Sequence, residues 1–217
     1  MLNLLIADDH PLYRDALRGA LSLSLPQLNL IEASDLTQTV EILHSHPDID
    51  LLLLDLNMPG SCDLFGLIHI RKLFPDLPIA VVSGVDDAQV VAKVVSIGAM
   101  GFVPKTTSAA QIAQAVETML SGDLWLPENY CNELDPLDEH FSALTDKVAS
   151  LTPAQYKVLC YMRDGLLNKQ IAYNLDIATA TVKAHITAMF RKLGINNRTQ
   201  AVLIASQLQL QPPEHAH

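Results

Sequence analysis

Four consecutive leucines, Leu51 to Leu54, run into Asp55 and then into the turn Leu56-Asn57-Met58-Pro59-Gly60. An apolar run of that length is the pattern of a strand buried on both faces, as in the middle of a parallel sheet. A carboxylate where such a strand ends lies at the carboxyl edge of the sheet, where open α/β folds bind their ligands. Four further polar residues follow apolar runs in the same way: Asp8 and Asp9 after Leu2–Ala7, Ser83 after Ile79–Val82, and Lys105 after Met100–Val103. Brought to one edge, three carboxylates do not all stay ionised cheaply without a cation beside them. An all-oxygen cluster suits Mg²⁺, which keeps several waters and takes one or two carboxylates together with a phosphate. A carboxylate left facing outward is a nucleophile for a phosphoryl group, and a hydroxyl and an ammonium can hold the phosphoryl oxygens. Singly, each residue is an ordinary strand end. The weight lies in five at matching positions.

Spacing supplies the elements that would place them. Pro11 opens a helix with Leu12, Ala16, Leu17, Ala20 and Leu21 at helical intervals, proline standing in its favoured first turn. Leu28–Ala33 predicts a second strand and Leu36–Leu43 a second helix. Helices around Leu67–Leu73 and over Ala88–Ile97, the latter closed by Gly98, alternate with the strands already named. Ser108 and Gln111 form a capping box for a helix with Ile112, Val116, Met119 and Leu120 inward, stopped at Gly122. Strand–helix alternation over residues 1–122 predicts an α/β domain, a doubly wound five-stranded parallel sheet with right-handed crossovers.

Residues 123–147 are acidic, carry Pro127 and Pro136, and read as a linker with a short helix around Leu134–Leu144. Residues 148–211 read as an all-α, four-helix unit. Thr152 to Gln155 is a capping box with Pro153 at the first helical position, and that helix ends at Gly165. Asn168 is expected to cap a short helix through Leu175, and a tight turn leads into Ala180–Leu193, whose inward stripe is Val182, Ile186, Met189, Phe190 and Leu193. Asn197 and Gln200 begin a last helix, Arg198 to about Gln209, and residues 212–217 are a tail. Two helices joined by a tight turn in a basic unit read as helix-turn-helix.

Charge divides the same way. Residues 1–121 hold 6 Lys and Arg against 14 Asp and Glu, and residues 148–211 hold 7 against 2, within a chain of net charge −10. Only the last third is suited to a polyanion. Hydrophobic residues make up 49%, which excludes wholesale disorder. No apolar run approaches a membrane span, so no membrane partner is expected, and the first basic residue is Arg14, against a signal peptide. Cys62, Cys131 and Cys160 are scattered and odd in number, which suits a reducing cytoplasm without disulfides.

With these motifs in view the chain resembles the two-component response regulators of the NarL/FixJ subfamily, a flavodoxin-like receiver followed by a LuxR-type output domain. The resemblance rests on Ala7-Asp8-Asp9-His10-Pro11, Leu54 to Gly60, Val82-Ser83-Gly84 and Gly98 to Lys105 in the first part. In the second it rests on Leu151-Thr152-Pro153, Gly165 to Ala172, Thr181 to His185 and Arg191 to Gly194. It implies that Asp55 accepts a phosphoryl group from a sensor histidine kinase. Asp9, Asp55 and the Asn57 carbonyl would hold Mg²⁺, and Asp8 would assist through water. Ser83 and Lys105 would contact the phosphoryl oxygens, and Phe102 would be the aromatic switch. It implies a cytoplasmic transcription regulator, not an enzyme, that binds double-stranded promoter DNA as a homodimer when phosphorylated. On the recognition helix, Lys183, Ala184 and Thr187 would meet bases, with Lys169 and Arg191 on phosphates and Thr181 on the same outward face as Ala188.

The chain departs from the family at Gly84, where Ala is common, and in a longer loop from Ser61 to Gly66. Ala178 stands at a helix start where Ser or Thr is usual, and Gln155 replaces a Glu. Two other readings remain open at this point: a regulator that works without phosphorylation, and a phosphohydrolase with an aspartyl nucleophile. The second wants a general acid two residues past Asp55, and Asn57 there cannot serve.

Overall fold

The computed structural model describes residues 2–25, 27–85, 87–130 and 139–208. The chain divides into two compact units, Met1–Asp138 and Glu139–His217.

The first unit is a five-stranded parallel sheet in the order β2-β1-β3-β4-β5. Its strands are β1 (Leu2–Ala7), β2 (Leu28–Ala33), β3 (Leu51–Asp55), β4 (Ile79–Ser83) and β5 (Gly101–Pro104). Its helices are α1 (Pro11–Ser24), α2 (Leu36–Ser45), α3 (Phe65–Leu73), α4 (Ala88–Ser96) and α5 (Ala109–Leu120). Every residue of β3 is buried, as the leucine run requires of a central strand. Strand alternation sends Leu4, Ile6, Leu51, Leu53, Val82 and Val103 to one face, where Leu17 and Leu21 of α1 and Val116 and Met119 of α5 close the core.

The inward face of α1 differs from the expected stripe. Leu12 is 84% exposed and Ala16 is exposed, whereas Tyr13 packs against the core formed with Leu17 and Leu21. Those three positions are four residues apart and therefore share a helix face. Strand β5 starts one residue later than its apolar run, and α3 begins two residues earlier than expected. The loop before α3 turns through a left-handed Asp63 (φ 54°) and buries Ser61 completely. Gly66 makes this possible: a Cβ there would come within 1.8 Å of the Ser61 hydroxyl oxygen.

The acidic stretch expected to be a linker over 123–147 is divided between the units. Trp125 pairs with β5, accepting from the Phe102 N–H (3.2 Å) and donating to the Met100 carbonyl (3.1 Å), so this segment covers a strand edge that would otherwise be open. A 3-10 turn, Glu128–Tyr130, follows. Part of the helix expected around Leu134–Leu144 lies outside the described residues, as does the tail 212–217; the described helix is α6 (Glu139–Ala149), in the second unit.

The second unit continues with α7 (Pro153–Arg163), α8 (Asn168–Leu175), α9 (Thr179–Leu193) and α10 (Arg198–Gln207). Its core gathers Tyr156, Val158 and Leu159 of α7, Ile171 of α8, Val182, Met189 and Leu193 of α9, and Ala201 and Ala205 of α10. Ile186 and Phe190, expected inward, are half-buried. The cap of α8 is Leu167 rather than Asn168; its N–H donates to Gln170 Oε1 (2.7 Å), and no side chain caps the helix. Thr152 and Gln155 cap α7 reciprocally, and the same Gln155 oxygen accepts from Lys192 Nζ at 2.8 Å. A neutral amide thus serves two helices, α7 and α9.

Candidate functional site

The order of the sheet reverses between β1 and β3, because β2 lies on one side of β1 and β4 and β5 extend beyond β3. Such a switch point opens a crevice at the carboxyl edge. Ala7 pairs with Leu54, so Asp8 and Asp55 leave the sheet side by side; Asp55 pairs with Val82 and Ser83 with Pro104. Sequence reasoning placed five residues at this edge, and the pairing brings their strand ends together.

The ammonium of Lys105 lies 2.7 Å from Asp8 Oδ2 and 2.9 Å from Asp55 Oδ2. Asp55 Oδ1 accepts the Asn57 N–H at 3.2 Å. Burial raises the Asp55 pKa, and the hydrogen bonds from Lys105 and the Asn57 amide only partly offset it. Burial works against the Lys105 ammonium too, but its bonds to Asp8 and Asp55 prevail and its pKa is raised. Asp8 Oδ1 accepts the His10 N–H at 2.7 Å, while the Asp8 carbonyl accepts from Arg14 at 2.6 Å. Arg14 and Arg18 both reach Glu32 and hold its carboxyl below the usual range against the opposing effect of desolvation. Ser83 is fully buried, and its Oγ accepts the Val85 N–H at 3.1 Å. Phe102 is fully buried as well, rather than half-buried as an edge-strand aromatic would be. Gly84 is exposed with open space where a Cβ would stand, so an Ala would fit there.

An oxygen from each of Asp8, Asp9 and Asp55 and a ring nitrogen of His10 lie within 4.8 Å of one another. Asp8 Oδ2 is buried with the Lys105 ammonium at 2.7 Å, and the buried Asp9 Oδ1 lies 2.8 Å from His10 Nδ1. Clustered, buried carboxylate oxygens suit a hard cation, and the donor set fits Mg²⁺.

One neighbour at this edge is not among the residues expected from strand ends. Tyr13 lies beneath the Lys105 ammonium, 5.0 Å from Nζ to the ring centroid. Burial and the charges of Asp8 and Asp55 push its phenol up to about 12, so it is neutral at physiological pH. Its spacing to Leu17 and Leu21 was the available signal. A cleft of about 560 Å³ opens over this edge, lined by Asp55, Lys105, Asn57, Gly84, His10, Leu12, Tyr13 and Ala16.

In the second unit, Thr181, Lys183, Ala184, Thr187 and Arg191 are exposed along α9, and Lys169 is exposed on α8. Ala188, expected on the same outward face, is half-buried, as is His185. The Thr187 hydroxyl donates to the Lys183 carbonyl at 3.0 Å, leaving its oxygen as an acceptor. Two basic residues are not available at the surface in the same way. Lys192 Nζ donates to the Ser150 carbonyl at 2.6 Å, and Arg198 donates to the carbonyls of Met162 (3.1 Å) and Leu166 (2.7 Å). Among the described residues no helix is long and apolar enough to cross a membrane.

Comparison with known proteins agrees with this division. Residues 4–117 match the family model of the response regulator receiver domain, and residues 149–205 that of the bacterial regulatory proteins of the luxR family. The chain is 41% identical over 213 residues to the glycerol metabolism activator of Pseudomonas putida, covering 96% of each chain. It is 32% identical to the nitrate/nitrite response regulator protein NarL of Escherichia coli, covering 94% of each. Among solved structures it resembles RcsB from Salmonella enterica serovar Typhimurium bound to a promoter in the presence of the phosphomimetic BeF3⁻. That match has 27% identity and a TM-score of 0.56, and it covers 96% of this chain and 99% of the other. The chain belongs to the response regulators with a LuxR-type output domain, a family of DNA-binding transcription regulators.

Proposed function

We propose that Asp55 accepts a phosphoryl group from the histidine of a sensor kinase, and that this controls binding of the second unit to promoter DNA. The observation that carries the assignment is the cleft: of the three clustered carboxylates, Asp55 is the one that lines it, together with Lys105. A carboxylate oxygen of Asp55 would form the bond to phosphorus as the phosphorus–nitrogen bond to the donor breaks, the electron pair leaving with the imidazole. Lys105 holds the nucleophile in place and supplies positive charge beside the oxygens of the transferring group. Asp8, Asp9, Asp55 and the Asn57 carbonyl would hold Mg²⁺. When bound, that ion would neutralise charge on the carboxylates and on the phosphoryl oxygens. Ser83, at the end of β4, would exchange its bond to the Val85 N–H for one to a phosphoryl oxygen, and Phe102, on the neighbouring β5, would respond to that exchange.

On DNA, α9 would enter the major groove with Thr181, Lys183, Ala184 and Thr187 toward base edges, while Lys169 and Arg191 meet phosphates. Of the four only Lys183 is of a type that reads a base edge bidentately, so half-site spacing and DNA shape would carry much of the specificity. A homodimer would supply that spacing; RcsB dimers have been seen on DNA, and Leu203 on α10 is 61% exposed here. The reading places the chain in the cytoplasm, with its DNA. It makes the chain a phosphoryl acceptor and not a phosphohydrolase, because no carboxylic acid stands two residues past Asp55. Incubation of the full chain with acetyl phosphate and Mg²⁺ tests it. Wild type should take up label and Asp55→Asn should take up none; persistent labelling of the variant, or multiple turnover of a phosphomonoester by wild type, would refute the assignment.

A further inference from the structure

We propose that Tyr13 is a positioning residue for phosphoryl transfer at Asp55, its ring holding the Lys105 ammonium at the junction of the two buried carboxylates. The inference rests on the reading of Asp55 as phosphoacceptor. Lysine is a compact charge on a flexible four-carbon stem, so its placement depends on what surrounds the head group. Here three partners come from three elements: Asp8 after β1 at 2.7 Å, Asp55 on β3 at 2.9 Å, and the Tyr13 ring on α1 with its centroid at 5.0 Å. The last distance lies within the range of cation–π attraction.

Tyr13 is itself fixed. It packs against the core beneath α1, and Arg14 next to it ties the start of that helix to the Asp8 carbonyl and to Glu32. The ring therefore cannot follow the lysine if the lysine moves. Its hydroxyl is not the acting group: Oη is buried and has no hydrogen-bond partner among the described residues. When Asp55 is phosphorylated, its oxygen loses much of its charge and its claim on Lys105. Asp8 and the Tyr13 ring are the partners that the reaction leaves unchanged. Formation and hydrolysis of the aspartyl phosphate use the same ammonium, so loss of the ring should slow both.

The test uses the full chain with Mg²⁺ and acetyl phosphate, following label uptake at saturating donor and label loss after donor removal. In uptake, a bond forms from Asp55 oxygen to phosphorus as acetate leaves with the electron pair of the bond that breaks. Tyr13→Leu should slow both steps about threefold to tenfold, without changing the acetyl phosphate concentration at half-maximal rate. Tyr13→Phe, which keeps the ring, should retain both rates. Proton NMR supplies a readout that does not depend on the Leu variant folding: the Lys105 ε-methylene protons should be shifted upfield by the ring in wild type and in Tyr13→Phe. Unshifted protons in wild type overturn the proposal. So do unchanged rates in Tyr13→Leu, faster label loss (which would make Tyr13 a water screen), or a Phe variant as slow as the Leu variant. Failure of wild type to take up label would instead overturn the assignment of Asp55, and this proposal with it.

Discussion

At the sheet edge, charged groups arrive from separate strands and are buried against one another. The side chains of Asp8 and Asp55 are 2% and 1% exposed, and that of Lys105 20%. On α9 the charged groups come from a single helix and stay in water: Lys183 and Arg191 are exposed, and no ion pair among the described residues holds either. The first arrangement makes each group depend on its neighbours, because a buried charge that loses its partner keeps its desolvation cost. The second makes the groups nearly independent. Substitutions at the edge should therefore act steeply and together, and those on α9 gradually and in proportion to salt.

Lys105→Ala is the strongest test of that coupling. It leaves two buried carboxylates facing each other, so label uptake at Asp55 should fall by about 10²-fold, the size expected when one transition-state donor is lost. Metal-free protein should also lose roughly 3 kcal/mol at neutral pH, as for a buried pair with one partner removed. The pH dependence follows from the raised Asp55 pKa. A raised carboxylate pKa means that ionising the group costs more in the folded than in the unfolded state, so its destabilising effect develops as pH rises through the interval between the two values. Loss of Lys105 should raise that pKa further, and part of the lost stability should return as pH falls and a proton replaces the ammonium. Chemical denaturation of metal-free wild type and variant across pH 4–8 measures this. A stability loss independent of pH would show that the two carboxylates are not coupled through Lys105.

What the sequence showed of each region follows the same contrast. The edge was legible because strand period and polar strand ends coincide: the leucine run ends in Asp55, Ala7 and Val82 stand just before Asp8 and Ser83, and Val103 is separated from Lys105 by Pro104 alone. Tyr13 is hidden by the apolar Leu12 and Ala16, which suggest a stripe one residue out of phase, although its spacing to Leu17 and Leu21 is the stronger core signal. The pairing of Trp125 with β5 was not legible, since an isolated bridge leaves no periodic trace and the acidic composition around it suggested a linker. In the second unit, charge counting was misleading in one respect. Lys192 and Arg198 contribute to the basic total but are engaged with backbone carbonyls, which residue type alone does not reveal.

That distinction separates two arginines on neighbouring elements. Arg198→Ala removes hydrogen bonds to the Met162 and Leu166 carbonyls and should cost about 2 kcal/mol of stability. The salt dependence of DNA binding should stay as in wild type. Arg191→Ala should barely change stability, yet lower the slope of log affinity against log salt by about 1 for each DNA-bound copy, as expected for one lost phosphate contact. Thermal melts paired with binding at several salt concentrations read both effects. A changed slope in Arg198→Ala, or an unchanged one in Arg191→Ala, would break the division between structural and DNA-facing charge.

The smallest effect concerns the start of α9. Thr152 caps α7 and Asn197 caps α10 through side-chain oxygens, but Ala178 at the start of α9 has extended backbone and no side-chain cap. Its carbonyl already accepts the Thr181 N–H at 2.9 Å, so what the helix lacks is an oxygen for the first free N–H groups. The backbone of Ala178 (φ −65°, ψ 144°) already has the conformation a serine cap adopts, and Ala178→Ser should add about 1 kcal/mol of stability without moving the helix. If α9 is only a scaffold for its exposed side chains, DNA affinity and its salt slope should not change. A bare helix N-terminus is also an anion site, with N–H groups directed outward. A serine oxygen there would compete with a DNA phosphate for those donors. Higher stability with weaker DNA binding would therefore show that the uncapped end itself touches the backbone of the duplex, and that groups on this surface are less independent than their exposure implies.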